Sequence, residues 1–148
     1  MFNMIVAWAD LPSLSGKVSM VDGSFDPIHD GHIAYFEASA AIGIPVLCNI
    51  TNDEWTVRKH PILLPQLQRA RVIDSIRHIE YVHCAQSSTR EVLEQLRPRF
   101  YIKGADWKLR GGIPTEEAET CSKLGIEVRY LETVLNSSTQ LIEKLRSR

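Results

Sequence analysis

The sequence has no surplus of positive charge: 17 Lys and Arg stand against 18 Asp and Glu, a net charge of −1 with His neutral. Proteins whose main task is to neutralise nucleic-acid phosphates need a basic excess, so RNA and DNA binding are disfavoured as the chain's business. Cysteine is scarce. Cys48, Cys84 and Cys121 lie far apart with no C-x-x-C pair, which fits reduced thiols rather than a disulfide framework. No long apolar run exists either. Met1 to Ala9 is apolar but ends at Asp10, well short of the ~20 residues of a membrane span and without a basic region before it. Neither a signal peptide nor an anchor is expected, and the expected location is cytoplasmic. Also missing are the G-x-x-x-x-G-K-S/T of a P-loop, the G-x-G-x-x-G of a dinucleotide fold, internal repeats and low-complexity linkers. What remains is 148 residues at 44% apolar and 24% charged, the composition of one globular domain. Residues 1–16 read as an N-terminal lead to it.

Hydrophobic periodicity alternates short β-branched runs with helical stretches. Strands are expected at Val18–Val21, Val46–Ile50, Tyr81–Cys84, Phe100–Ile102 and Ile126–Leu131. Helices are expected over His32–Ile42, after Pro65, after the capping box Ser88-Thr89-Arg90-Glu91, from Thr115 as a cap to Leu124, and after a second capping box at Ser137–Gln140. The last helix would present Leu141, Ile142 and Leu145 to the core. Strictly alternating elements of this kind predict an α/β fold, a Rossmann-like five-stranded, mostly parallel sheet with helices on both faces. Ligands of such sheets bind at the carboxyl ends of the strands, where strand order reverses. The loops after strands one, two, four and five are therefore expected to share one cleft.

The first of these loops carries most of the chemistry. It reads Gly23-Ser24-Phe25-Asp26-Pro27-Ile28-His29-Asp30-Gly31-His32 and leads directly into a helix. Glycine permits close approach of backbone to a ligand, and the N–H groups of a new helix N-terminus form an anion site. His29 and His32 stand three residues apart and can both aim ring N–H groups at a phosphate, where they would stabilise charge developing on phosphoryl oxygen. Zinc ligation by the pair is a weaker reading, because no third ligand accompanies them at metal spacing. A purely structural role for the two rings is the other alternative.

These residues resemble the signature G-S/T/C-F-D-x-x-H-x-G-H of the cytidylyltransferase-like nucleotidyltransferase superfamily. The resemblance implies attack by a substrate phosphate on the α-phosphate of a nucleoside triphosphate, with release of pyrophosphate. It implies no covalent intermediate and no general base, the attacking phosphate being already an anion. Gly23, Ser24, Phe25 and Asp26 would then line the triphosphate channel, with His29 and His32 as catalytic groups.

Further segments resemble bacterial heptose-phosphate adenylyltransferases in particular. Asp53-Glu54-Trp55-Thr56-Val57-Arg58-Lys59 is similar to their N-x-D-x-x-V-R/K-x-x-K, with shorter spacing, and His60-Pro61 stands where they carry Arg-Pro before a helix bearing arginines, here Arg69 and Arg71. Arg58 and Lys59 would hold the incoming phosphate, Lys59 counting among the catalytic groups. Lys103-Gly104-Ala105-Asp106-Trp107 is similar to their K-G-G/A-D-Y/W. Lys103 would reach a phosphate, Gly104 would hug the nucleotide and Asp106 would accept from ribose hydroxyls or base amines; Trp107 either stacks on a base or covers the cleft. Ser137-Ser138-Thr139 is similar to their S-S/T-T, a cradle for the outer phosphates.

The resemblance as a whole implies AMP transfer from ATP to a sugar 1-phosphate, D-glycero-D-manno-heptose 1-phosphate being the favoured acceptor. Magnesium would travel with the triphosphate, and no resident metal site is expected. The alternative is a CTP-dependent cytidylyltransferase acting on glycerol 3-phosphate or another alcohol phosphate. Arg77-His78-Ile79-Glu80-Tyr81-Val82 loosely matches such enzymes, whereas Leu131–Asn136 lacks the Arg with which they read the pyrimidine. A non-catalytic nucleotide-binding subunit is a third reading. Expected partners are small molecules, a second copy of the chain in a homodimer or higher oligomer, and a separate sugar kinase in the same pathway, with no nucleic acid and no membrane. Apolar residues between Met1 and Trp8 are candidates for the interface between copies.

Overall fold

The structure is a computed structural model that describes residues 5–132 and 138–147. Its centre is a sheet of β1 (Ser19–Gly23), β2 (Val46–Ile50), β3 (Tyr81–Cys84), β4 (Phe100–Lys103) and β5 (Glu127–Tyr130), in the order β3-β2-β1-β4-β5. All four pairings are parallel, with Ser19 opposite both Val46 and Phe100. Helices α1 (Asp30–Ala40), α2 (Asp53–Thr56), α3 (Gln66–Asp74), α4 (Thr89–Leu96), α5 (Ala105–Leu109), α6 (Thr115–Leu124) and α7 (Ser138–Arg146) provide the crossovers and the lids over the strand ends.

Strand residues alternate between two cores because successive side chains leave opposite faces of a pleated strand. Val21, Cys48, Ile50, Val82 and Ile102 face Tyr35 and Phe36 of α1 and Ala70 and Ile73 of α3. Met20, Leu47 and Tyr101 face Val92, Leu93 and Leu96 of α4 and Cys121 of α6. Both faces being covered, β2 and β4 are buried at every residue, as strands of a parallel sheet should be. The edge strand β5 instead alternates exposed and half-buried residues.

Several local expectations take a different form. Helix α1 begins two residues earlier than the periodicity suggests, because His29 serves as its N-cap, and it stops at Ala40. Thr115 does not cap α6: Pro114 occupies the N-cap position, no side chain caps the helix, and Thr115 is its first residue. The capping box at α4 is present as expected, with Ser88 Oγ accepting from Glu91 N at 3.2 Å and Glu91 Oε1 accepting from Ser88 N at 3.4 Å. Leu145 of α7 is 70% exposed, so the apolar face of that helix stops at Ile142. Ser137, the expected start of the second capping box, lies outside the described residues.

The N-terminal segment is more than a lead. Residues Trp8–Leu14 form a 3-10 helix, Ile5 bridges Val82 beside β3, and Val6 N donates to Val82 O at 2.7 Å. Leu11 is fully buried against α4, while Ile5 and Trp8 are exposed. Truncating a fully buried Leu removes its transfer free energy and leaves a cavity. Leu11→Ala should therefore lower unfolding free energy by about 2–5 kcal/mol, measured by urea titration. A loss within error would mean that the segment is only loosely attached.

Candidate functional site

Strand order runs away from β1 in both directions, towards β2 and β3 on one side and towards β4 and β5 on the other. The switch point is thus the gap between the carboxyl ends of β1 and β4. The loop after β1 and the β4–α5 turn meet there.

The β1 loop is held from beneath. Phe25 takes a left-handed conformation, φ 53°, which folds its ring under the loop, where it meets Phe36 at 5.2 Å and the edge of His32 at 4.9 Å between centroids. A Cβ on Gly23 would come within 3.0 Å of that ring. Gly23 is therefore glycine to make room for Phe25, and the buried Phe25 ring supports the loop from inside. Asp26 also turns inward. It is fully buried, and its carboxylate accepts from Leu63 N at 2.8 Å and Leu64 N at 2.9 Å. Its place is a clamp between the loop and the segment before α3. Ser24 offers its carbonyl to Arg69, and its buried hydroxyl has no partner among the described residues.

His29 and His32 cap α1 reciprocally. His29 Nδ1 accepts from Gly31 N at 3.1 Å, and His32 Nδ1 accepts from His29 N at 3.2 Å. A neutral imidazole has one donor nitrogen and one acceptor, so both rings carry their proton on Nε2. The rings stack at 3.8 Å with 23° between planes. Burial, and then the neighbouring His29, lower the pKa of His32 to about 3. At neutral pH His32 therefore presents a neutral Nε2–H donor and, with the His29 ring stacked on it, stands beside the helix N-terminus, an anion site.

Charge enters from the other wall. Lys103 at the end of β4 is buried, 3.8 Å from Asp22 Oδ2, and its ammonium lies 4.5 Å from the centroid of the Trp107 ring. Arg110 Cζ lies 5.3 Å from the same ring. Lys59 is exposed as a residue, yet its pKa is lowered, first by desolvation and next by the Lys103 charge, with Arg110 acting in the same direction against Asp22. Lys59, Lys103 and Arg110 thus gather at one edge. Trp107 is occupied by two cations and so serves as their platform. Gly104 is the N-cap of α5, and Asp106 in its first turn lies 3.8 Å from Arg110. Arg58 departs from this group: its guanidinium stacks on the exposed Trp55 ring at 4.4 Å. Ser138 and Thr139 occupy the first turn of α7, and Ser137 is outside the described residues.

Three residues that sequence reasoning left without a role organise the site. Asp22 accepts from Asn49 Nδ2 at 2.9 Å and Thr89 Oγ1 at 3.2 Å, pairs with Lys103, and lies 3.4 Å from the Tyr101 hydroxyl oxygen. Tyr101 OH in turn donates to Glu117 Oε1 at 2.7 Å, and burial raises the pKa of that carboxyl. Arg69, fully buried, donates to Leu64 O, Ser24 O and Thr51 O and pairs with Asp53 at 2.5 Å. The available signals were an Asp closing an apolar strand, where Asp is disfavoured, and an Arg beside the buried face of α3. Among the described residues no three His, Cys, Asp or Glu side chains converge as metal ligands, and no helix is long and apolar enough to cross a membrane. A recess of about 410 Å³ between the N-terminal segment and β3 shares no residue with this site.

The lowered pKa of His32 makes stability depend on acid. Its unfolded value is about 6.5 and its folded value about 3, so between those limits the unfolded chain binds more protons and stability falls as pH falls. By pH 5 the loss from this one group is roughly 2 kcal/mol, from 1.36 kcal/mol per pKa unit. Denaturant titrations of the wild type and His32→Gln at pH 7.5 and 5 should show a loss larger by about this amount in the wild type, since His83, whose pKa burial also lowers, is common to both. Equal losses in both proteins would contradict the assignment.

Comparison with known proteins places this geometry. The family model described as cytidylyltransferase-like matches residues 20–144. The "Bifunctional protein HldE" of Pseudomonas aeruginosa (strain LESB58) is 29% identical over 151 aligned positions, covering 99% of this chain and 31% of the relative. That of Hahella chejuensis (strain KCTC 2396) is 30% identical, covering 95% and 30%. The chain thus spans about a third of the length of these curated relatives. Among solved structures, a lipopolysaccharide core biosynthesis protein from Thermoplasma volcanium GSS1 superposes with a TM-score of 0.65 at 20% identity, covering 81% of this chain and 98% of its own. A protein of unknown function from Archaeoglobus fulgidus gives 0.61 at 15% identity, covering 81% and 93%. At such identities the likeness concerns the fold, and the family rests on the sequence match that takes in both histidines and the β4–α5 turn. This chain belongs to the cytidylyltransferase-like family of nucleotidyltransferases.

Proposed function

We propose that this protein transfers AMP from ATP to a sugar 1-phosphate, a heptose 1-phosphate being the favoured acceptor, and releases pyrophosphate. The observation that carries the reading is the pairing of two walls: the histidine pair at the start of α1, and Lys59, Lys103 and Arg110 gathered by the end of β4. In the transfer, an oxygen of the acceptor phosphate attacks the α-phosphorus of the nucleotide. The bond from that phosphorus to the bridging oxygen breaks, and pyrophosphate leaves with the electron pair. His29 and His32 donate from Nε2 to phosphate oxygens as negative charge moves onto them, which costs no proton transfer and little reorganisation. Lys59 and Lys103, with Arg110, bring two anions together that would otherwise repel. Magnesium arriving with the triphosphate would neutralise the leaving group.

Support for adenylyl rather than cytidylyl transfer comes from the two HldE relatives, which align over nearly all of this chain. Cytidylyl transfer to an alcohol phosphate is the second reading, favoured by the family match. Pyrophosphate release with ATP or CTP across sugar and alcohol phosphates separates them, and ATP with a sugar 1-phosphate should be the productive pair. Binding of nucleotide without release on any phosphate would instead mark a non-catalytic subunit. Under the productive pair, His32→Ala should lower kcat by about 10²–10³, the scale of losing one transition-state donor. The variant should keep the circular dichroism of the wild type. A folded variant with wild-type turnover would overturn the mechanism.

A further inference from the structure

A second polar recess lies at the carboxyl ends of β2 and β3, on the opposite side of β1 from Lys103. It measures about 270 Å³ and is lined by Asn52, Asp53, Glu54, Gln66 and Gln86, all of them polar. Whole-ligand pockets are mostly apolar and span roughly 300–1,000 Å³, so this one has the size for part of a ligand and the chemistry for hydroxyl groups.

Its side chains are oriented by the fold. Gln66 is buried, and its Nε2 donates to Ile50 O and Ala85 O, 2.9 Å each, across the ends of β2 and β3. Its Oε1 accepts from Gln86 Nε2 at 3.0 Å, which leaves Gln86 Oε1 as an acceptor. Asn52 Oδ1 caps α2 by accepting from Trp55 N at 3.0 Å, which leaves Asn52 Nδ2 as a donor. Asp53 directs Oδ1 to Arg69 at 2.5 Å. Its Oδ2 and the Glu54 carboxylate have no partner among the described residues. Two amide donors, Asn52 Nδ2 and the second N–H of Gln86, stand among several acceptors, two of them carboxylates, whose charge repels a second phosphate or carboxylate. An apolar tail would strand these groups without hydrogen bonds. A neutral hydroxyl, which both donates and accepts, satisfies them.

We propose that this recess is the subsite for the neutral, polyhydroxylated part of the acceptor, and that the enzyme selects a sugar phosphate over a simple alcohol phosphate through it. The inference rests on the nucleotidyl-transfer reading, and the chain connects the two places. Asp53 opens α2 and Lys59 follows shortly after that helix ends. The Arg69 guanidinium bonds both Asp53 and Ser24 O of the β1 loop. An acceptor with its phosphate at Lys59 and the histidines would extend its hydroxyls towards Asn52 and Gln86.

The test titrates the whole protein with mannose 1-phosphate, ethyl phosphate and inorganic phosphate while side-chain amide resonances are followed by NMR. Mannose 1-phosphate should shift the amides of Asn52, Gln66 and Gln86, whereas the other two should leave them in place. Gln86→Ala, at an exposed position, should weaken mannose 1-phosphate about tenfold, the scale of one net hydrogen bond, without changing ethyl phosphate binding. Equal shifts from all three ligands, or silent amides with mannose 1-phosphate, would overturn the subsite. Pyrophosphate release in parallel keeps the two readings apart. Release with silent amides removes the subsite and leaves transfer standing; responsive amides without release on any phosphate remove transfer and leave a polyol site.

Discussion

The guanidinium of Arg69 is the interaction on which the site's shape depends. An isolated buried charge is very costly, and only a complete set of partners makes burial tolerable. Arg69 has such a set: three carbonyls, from Ser24, Thr51 and Leu64, and the Asp53 carboxylate. Those partners belong to the loop after β1, the loop after β2 and the segment before α3. Each loop therefore gains its position by satisfying the same cation. Asp26 completes the arrangement from the other direction, since its buried carboxylate takes the Leu63 and Leu64 N–H groups.

Upon this frame the two walls of the cleft divide their electrostatics. A neutral His32 sits where a fixed charge would be expensive, pressed against Phe25 and His29. The cations stand opposite, and Asp22 holds Lys103 in place before any ligand arrives. That pairing explains how a chain of net charge −1 can still concentrate positive potential at one edge. A low-dielectric site strengthens such local charges far beyond their effect on the sum. The network from Asp22 through Tyr101 to Glu117 carries the same constraint into the second core, so the position of Lys103 is tied to the packing of α6.

Much of the fold was legible because its signals are local. Ser88 and Glu91 cap α4 reciprocally, Gly125 takes the left-handed conformation that ends α6, and each of the five apolar runs became a strand of the sheet. Signals that depend on a partner elsewhere were not legible. Thr115 looked like a cap, but Pro114 precedes it and fills that position. Leu145 fits the helical period of α7, yet it stays exposed among the described residues. The histidine pair, Lys59 and Lys103 were readable as candidates through their motif and spacing. Arg58 was read alongside Lys59, and the exposed indole of Trp55 holds it apart.

The sequence by itself determined the α/β alternation, the parallel sheet and the family, because periodicity, caps and a contiguous motif need no knowledge of distant residues. Only the tertiary structure decided which residues of that motif line the cleft at the strand ends and which turn into the protein. Phe25 and Asp26 belong to the signature as much as His29 and His32, but the first two turn inward to support the loop. Arg69 and Asp22 stand outside the β1-loop signature and organise the site. The physical reason is that burying a charge or an aromatic ring depends on what the whole chain brings around it, and partners tens of residues away leave no mark at the position itself.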